Sequence, residues 1–267
     1  MANQNHRNIY LDGEKKYFLE YLKLLGIKDN LTRLARKNEL TDYFSVCRKG
    51  SQKIHELHVE IAKIREESTR YYDEYDYGAG YFYQSMTSLG ISGFRDTCGR
   101  VRDLDLITRL AGKSILDIGS NAGFILCQIS KHIRSGLGIE INPFLTRISS
   151  VCADYLYLKN VKFHNSSFER YCSRDKRFDA ILSLANHSTF DGQTKFNFAC
   201  YFEKISSLLN GNGQLIFESH PPNLDTPEQL ASVMSAMEQY FVIESQKRSS
   251  LKGFLDKDRT YLFCRKK

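Results

Sequence analysis

The sequence predicts an α/β protein: a mostly parallel sheet flanked by helices, ended by an antiparallel hairpin and preceded by helical segments. Three observations predict it. From residue 113 onward, short apolar runs alternate with helical stretches, the pattern of a parallel sheet with right-handed crossovers. The first apolar run ends on a glycine-containing turn that opens directly into a helix. The last two strand-like segments, 241–246 and 260–264, have no helix of useful length between them. That reads as a closing hairpin.

Along the chain, residues 14–76 have few glycines and no proline, and Tyr17-Phe18, Tyr21-Leu22 and Leu25 recur at helical spacing. Ile54, Leu57, Ile61 and Ile64 repeat the pattern in a longer amphipathic run. Residues 77–106 are rich in Gly, Tyr and Arg and read as a loop with short helical pieces; long loops in compact domains usually carry function. Strands are then expected at 114–118, 135–139, 161–164, 178–184 and 214–218. Helices are expected between and after them at 124–132, 143–156, 196–209 and 227–239. The implied organisation is a helical extension (1–76), a lead-in or cap segment (77–112) and the main α/β domain (113–267).

The bulk properties exclude more than they identify. The hydrophobic fraction of 42% and charged fraction of 26% are those of an ordinary globular chain. The formal charge of +7 fits an anionic acceptor, but it is shared by many enzymes with no such partner. Seven cysteines, an odd number with no C-x-x-C pair, argue against a disulfide framework or zinc site and for reduced thiols in a cytoplasmic protein. No stretch approaches the roughly 18 apolar residues of a spanning helix, and the polar first ten residues do not read as a signal peptide.

The chemistry concentrates between Ser114 and Glu140. The strand Ser-Ile-Leu-Asp-Ile leads into Gly119-Ser120-Asn121-Ala122-Gly123 and a helix opening at Phe124. Gly119 and Gly123 let the backbone turn sharply and approach a ligand with no Cβ in the way, and the helix presents its first amides to polar groups. The spacing is not the G-x-G-x-x-G of dinucleotide sites. A second apolar strand ends in Glu140, about 20 residues further on, where a carboxylate can accept hydrogen bonds from both hydroxyls of a ribose. Ile141 beside it can lie on an adenine face.

In this order and spacing, these elements resemble motif I and the acidic post-I element of class I S-adenosylmethionine-dependent methyltransferases. The resemblance implies a Rossmann-like sheet, S-adenosyl-L-methionine as cofactor and S-adenosyl-L-homocysteine as product. The histidines show no metal-ligand spacing such as H-E-x-x-H, so no required metal is expected. It implies that Asp117 supports the loop or the methionine amino group, with Gly119 against the methionyl part. Ser120, Asn121, Gly123, Glu140, Ile141 and Leu184 complete the expected cofactor set with Ser167 and Phe168 after the third strand. Relatives often have an acid in the stretch after that strand; here Ser167, Asn165 or a backbone carbonyl must replace it. Upstream, Tyr83-Gln84, Arg95-Asp96 and Arg100 resemble the lead-in of bacterial methyltransferases that cap O-antigen polysaccharide chains by methylating a terminal phosphate. That likeness implies that Tyr83 and Arg100 contact the cofactor's carboxylate, and that Arg95 grips cofactor or substrate phosphate.

Methyl transfer is an in-line displacement in which alignment supplies most of the catalysis. A hydroxyl acceptor also profits from a general base; an anionic acceptor does not. The fourth and fifth strands end near Asn186-His187 and Glu218-Ser219-His220, so His187 and His220 are the expected catalytic residues, with Asn186, Glu218 and Arg95 toward the substrate. The leading expectation is O-methylation of a small or glycan- or phosphate-bearing acceptor in surface polysaccharide biosynthesis. An RNA methyltransferase is the second reading, against which stands the lack of an RNA-binding module or basic tail. A non-catalytic binding protein that keeps the fold is the third. The N-terminal helices either cover the site or pair two subunits as a homodimer.

Overall fold

The computed structural model describes residues 30–49, 52–70, 81–173, 176–187, 195–219, 226–251 and 259–267. The chain forms two compact units, residues 1–95 and 96–267.

In the first unit, α1 (Asn30–Lys49) and α2 (Gln52–Thr69) are paired helices. The expected face of α2, Ile54, Leu57, Ile61 and Ile64, is buried throughout. Across the pair, Arg65 Nη1 donates to Glu39 Oε1 at 2.9 Å. Residues 81–95 then double back through isolated bridges, Gln84 with Arg95 and Met86 with Ile91. Between them lies a 3-10 turn, Thr87–Leu89, closed by Gly90 at φ 67°. Buried Asp42 ties this segment to α1: it accepts from the Tyr81 hydroxyl, from Ser92 N at 2.6 Å and from Ser92 Oγ at 2.7 Å. His58 Nε2 donates to the Leu89 carbonyl at 2.7 Å.

The second unit opens with α3 (Thr97–Asp103) and α4 (Leu106–Arg109). There follow β1 (Ser114–Ile118), α5 (Phe124–Ile129), β2 (Ser135–Glu140), α6 (Pro143–Tyr155), β3 (Val161–Asn165) and β4 (Phe178–Leu184). The remainder is α7 (Phe198–Leu208), β5 (Leu209–Glu218), α8 (Pro227–Met237), β6 (Phe241–Arg248) and β7 (Thr260–Lys266). The strands form one sheet in the order β3-β2-β1-β4-β5-β7-β6. All neighbours are parallel except β7, which runs antiparallel to β5 and β6. This is the expected mostly parallel sheet with its closing hairpin.

The apolar strands explain the layers. β1 is buried along its whole length, as a central parallel strand covered on both faces must be. Ile115 packs on one side with Ile125, Leu126 and Leu110. Leu116 and Ile118 face the other, with Phe202, Ile205 and Phe217. Two elements differ from expectation. The helix expected to reach 132 is α only to Ile129 and finishes as a 3-10 turn, Ser130–His132, where Ser130 Oγ turns back onto the Cys127 carbonyl. β5 begins at Leu209, which pairs with Phe178 before the register shifts; Asn210 Nδ2 holds that irregular start by donating to Asp179 Oδ1 at 2.6 Å.

From β1 the chain proceeds to β2 and β3 on one side, and from β4 to β5 on the other. The β1/β4 boundary is therefore the topological switch point, where open parallel sheets leave a crevice beyond the strands' C-terminal ends.

Candidate functional site

The loop after β1 meets that crevice. Gly119 and Gly123 both take left-handed backbone, φ 65° and 73°. A Cβ on Gly119 would stand 2.8 Å from Asn186 Cβ, and one on Gly123 would stand 2.4 Å from the Phe163 ring. Asn121 is also left-handed, at φ 53°, a conformation that its short polar side chain tolerates; its Oδ1 accepts from Ala122 N at 2.8 Å. Ser120 N donates to the Ile139 carbonyl at 3.0 Å, tying the loop to β2. Ser120 Oγ is buried with no hydrogen-bond partner among the described residues.

Glu140, at the end of β2, braces the loop. Its Oε2 accepts from Asn121 N at 2.8 Å and its Oε1 from Asn142 N at 2.9 Å. Ile141 beside it is 40% exposed. Asn165 Nδ2 donates to the carbonyls of Glu140 and Ile141, at 2.9 and 2.8 Å. Ser167 Oγ accepts from Arg170 N at 3.3 Å, while the Phe168 ring is buried edge-on to Phe196 and Tyr201. Thus after β3 the Ser167 hydroxyl closes a turn and the Phe168 ring lies in the core.

A cluster of charges lies behind the loop. Burial pushes the Asp117 carboxyl up to about 7; neighbouring Glu140 adds to the rise and Arg100 opposes it. Arg100, on α3, donates from Nη2 to Glu218 Oε2 at 2.6 Å, and Arg259 Nη1 stands 3.2 Å from Glu218 Oε1. Arg100 Nε is buried with no hydrogen-bond partner among the described residues. Glu218, expected to face an acceptor, has a fully buried carboxylate engaged by two arginines. Sequence reasoning passed over Arg259. Its signal was faint: the last charge of the run Asp256-Lys257-Asp258-Arg259, just ahead of an apolar strand.

The end of β4 carries the remaining candidates. Leu184 is half-buried, and Ala185 takes φ 60°, a strained state for a residue with a Cβ. Asn186 Oδ1 accepts from Ser183 Oγ at 2.7 Å and from the Tyr201 hydroxyl at 3.2 Å. His187 stacks on Phe198 with ring centroids 4.0 Å apart and meets Tyr201 edge-on at 4.7 Å. Burial lowers its pKa to about 4, so the ring is neutral at pH 7. Its Nε2 lies 3.1 Å from the Phe196 carbonyl. A carbonyl only accepts, so the proton sits on Nε2 and Nδ1 keeps the lone pair. His220 lies outside the described residues. Tyr83 and Arg95 belong to the first unit, where Arg95 N donates to the Tyr83 carbonyl at 2.9 Å and its guanidinium lies 5.8 Å from the Tyr83 ring centroid.

A family model described as "Methyltransferase domain" matches residues 110–261. The chain belongs to this family: it is a methyltransferase, and its methyl donor is S-adenosylmethionine. The residues fit that cofactor, since the buried Ser120 Oγ of the loop and the buried Arg100 Nε behind it have no hydrogen-bond partner among the described residues. Among solved structures, the chain is similar to the N-methyltransferase NodS from Bradyrhizobium japonicum WM9. The identity is 14% and the TM-score 0.51, over 62% of this chain and 95% of that one. The NodS complex with S-adenosyl-L-homocysteine gives the same identity and TM-score, 14% and 0.51, over 62% of this chain and 86% of that one. A TehB-like SAM-dependent methyltransferase from Corynebacterium glutamicum is 17% identical, with a TM-score of 0.51 over 77% of this chain and 99% of that one. These likenesses show the shared fold. No curated protein matches the chain.

Proposed function

We propose that this methyltransferase O-methylates a small or glycan- or phosphate-bearing acceptor in surface polysaccharide biosynthesis. The observation that carries the reading is the backbone pairing of Gln84 with Arg95. It joins in space the two sequence elements, Tyr83-Gln84 and Arg95-Asp96, that resemble the polysaccharide chain-capping enzymes. When bound, S-adenosylmethionine supplies an electrophilic methyl carbon on its sulfonium. In this reading the Glu140 carboxylate accepts from the ribose hydroxyls and Ile141 covers the adenine. Ser167, Phe168 and Leu184 border the nucleoside. Gly119, Ser120, Asn121 and Gly123 admit the methionyl part close to the backbone, and Asp117 accepts from its ammonium group. Arg100 addresses its carboxylate.

On the acceptor side, Asn186 orients the substrate. A phosphate oxygen already carries the negative charge that attack requires. For a hydroxyl, His187 and His220 are the candidate bases of this reading, and the buried His187 ring, lowered to about 4, favours the anionic acceptor, which needs none. The experiment is transfer of a labelled methyl group from S-adenosylmethionine to paired acceptors, each sugar offered with and without a terminal phosphate. Label on oxygen, preferring the phosphorylated member, is the expected result. Label on nitrogen, or on RNA, would overturn the reading.

A further inference from the structure

A buried ion cluster lies at the C-terminal end of β5. Arg100 and Glu218 come from α3 and β5, and Arg259 immediately precedes β7; all are at most 4% exposed. Glu218 holds a guanidinium through each oxygen, Arg100 at 2.6 Å and Arg259 at 3.2 Å. Burying two cations around one anion is unfavourable unless the arrangement is fully compensated. Here two guanidinium groups share one carboxylate, and the Arg100 Nε donor has no hydrogen-bond partner among the described residues. A further anion at Arg100 would satisfy that donor and offset the positive charge of the cluster.

We propose that Glu218, itself braced by Arg259, is a positioning residue that holds Arg100 for the carboxylate of the cofactor's methionine. This rests on the cofactor reading above and changes the role of Glu218 from acceptor contact to cofactor support. The logic is geometric. A guanidinium on a long side chain recognises a carboxylate well only when its planar fork is fixed in advance. One carboxylate oxygen on Nη2 fixes that plane while leaving Nε over. Arg259 keeps the glutamate in place from the opposite oxygen. Without Glu218 the two guanidinium groups lose their common anion, repel, and no longer hold this arrangement.

The test uses two ligands on the full chain by titration calorimetry: S-adenosylhomocysteine, and methylthioadenosine, which keeps the nucleoside and sulfur but lacks the amino-acid part. The unaltered protein should bind the first more tightly. Glu218→Gln should weaken S-adenosylhomocysteine at least about tenfold, the scale of one hydrogen bond to a charged group, and leave methylthioadenosine unchanged. Retained methylthioadenosine binding also reports that the variant is folded. Equal losses for both ligands would reduce Glu218 to a structural role and overturn the proposal. An unchanged ratio, or tighter S-adenosylhomocysteine binding by a freed arginine, would overturn it too. If Glu218→Gln yields no folded protein, Arg259→Gln carries the same comparison with a smaller expected shift. Failure of the unaltered chain to bind either ligand would instead contradict the cofactor reading itself.

Discussion

At the scale of single residues, the site depends on positions where one atom too many is not tolerated and one charge is held against its preference. Gly119 is the first kind. Its left-handed backbone, and the 2.8 Å that would separate an added Cβ from Asn186 Cβ, predict that Gly119→Ala loses about 1–2 kcal/mol from the backbone alone. The clash comes on top, so S-adenosylhomocysteine affinity should fall about tenfold or more; calorimetry showing unaltered affinity would contradict this. Asp117 is the second kind. Its carboxyl is raised from 3.8 to about 7 by burial, so between these values the folded chain holds a proton that the unfolded chain has released. Stability contributed by this group is therefore present at low pH and lost as pH rises through that window, by up to a few kcal/mol. Urea unfolding from pH 4 to 7 should show this decline in the unaltered protein and a flatter profile in Asp117→Asn. Identical slopes would show that Asp117 does not titrate in this range.

At the scale of elements, the glycine loop is held from both ends by neighbouring secondary structure. Asn142 is the hinge of this support. Its side chain caps α6 by accepting from Phe144 N at 2.9 Å and Leu145 N at 3.3 Å, while its amide donates to Glu140. Asn142→Ala should cost about 1 kcal/mol of stability, read as a lower urea midpoint with unchanged slope. No change in midpoint would show that the cap is not used. Elements of this kind were legible in the sequence because their signals are local. The five parallel strands, the helices between them and the loop from Gly119 to Gly123 each occupy one short stretch with its own periodicity or turn chemistry. The start of β5 was not legible, because Asn210-Gly211-Asn212-Gly213 reads as a turn. Only pairing with β4 draws Leu209 into the strand.

At the scale of the whole molecule, what the sequence hid were contacts between distant segments. Arg100 was visible as a cofactor candidate and Glu218 as a substrate candidate, but 118 residues separate them. No local pattern announces that one would hold the other, or that Arg259 would share the same carboxylate. The aromatic enclosure of His187 by Phe198 and Tyr201 was hidden for the same reason, since it needs β4 and α7 placed side by side. The sheet order does that placing. It sets the loop after β1 against the end of β4 and brings β5 and β7 together, so residues from four stretches of chain converge on one edge. Family membership and fold define a methyltransferase; the acceptor depends on side chains around that edge rather than on the fold.

The central claim is that this edge binds S-adenosylmethionine through Glu140 and the Gly119–Gly123 loop. Its most direct test is a calorimetric titration of the full chain with S-adenosylhomocysteine, beside the same titration of Glu140→Ala. Stoichiometric binding by the unaltered protein, weakened about tenfold or more in the variant, is the predicted result. Absence of binding by the unaltered protein, or equal affinity in both, would contradict the account.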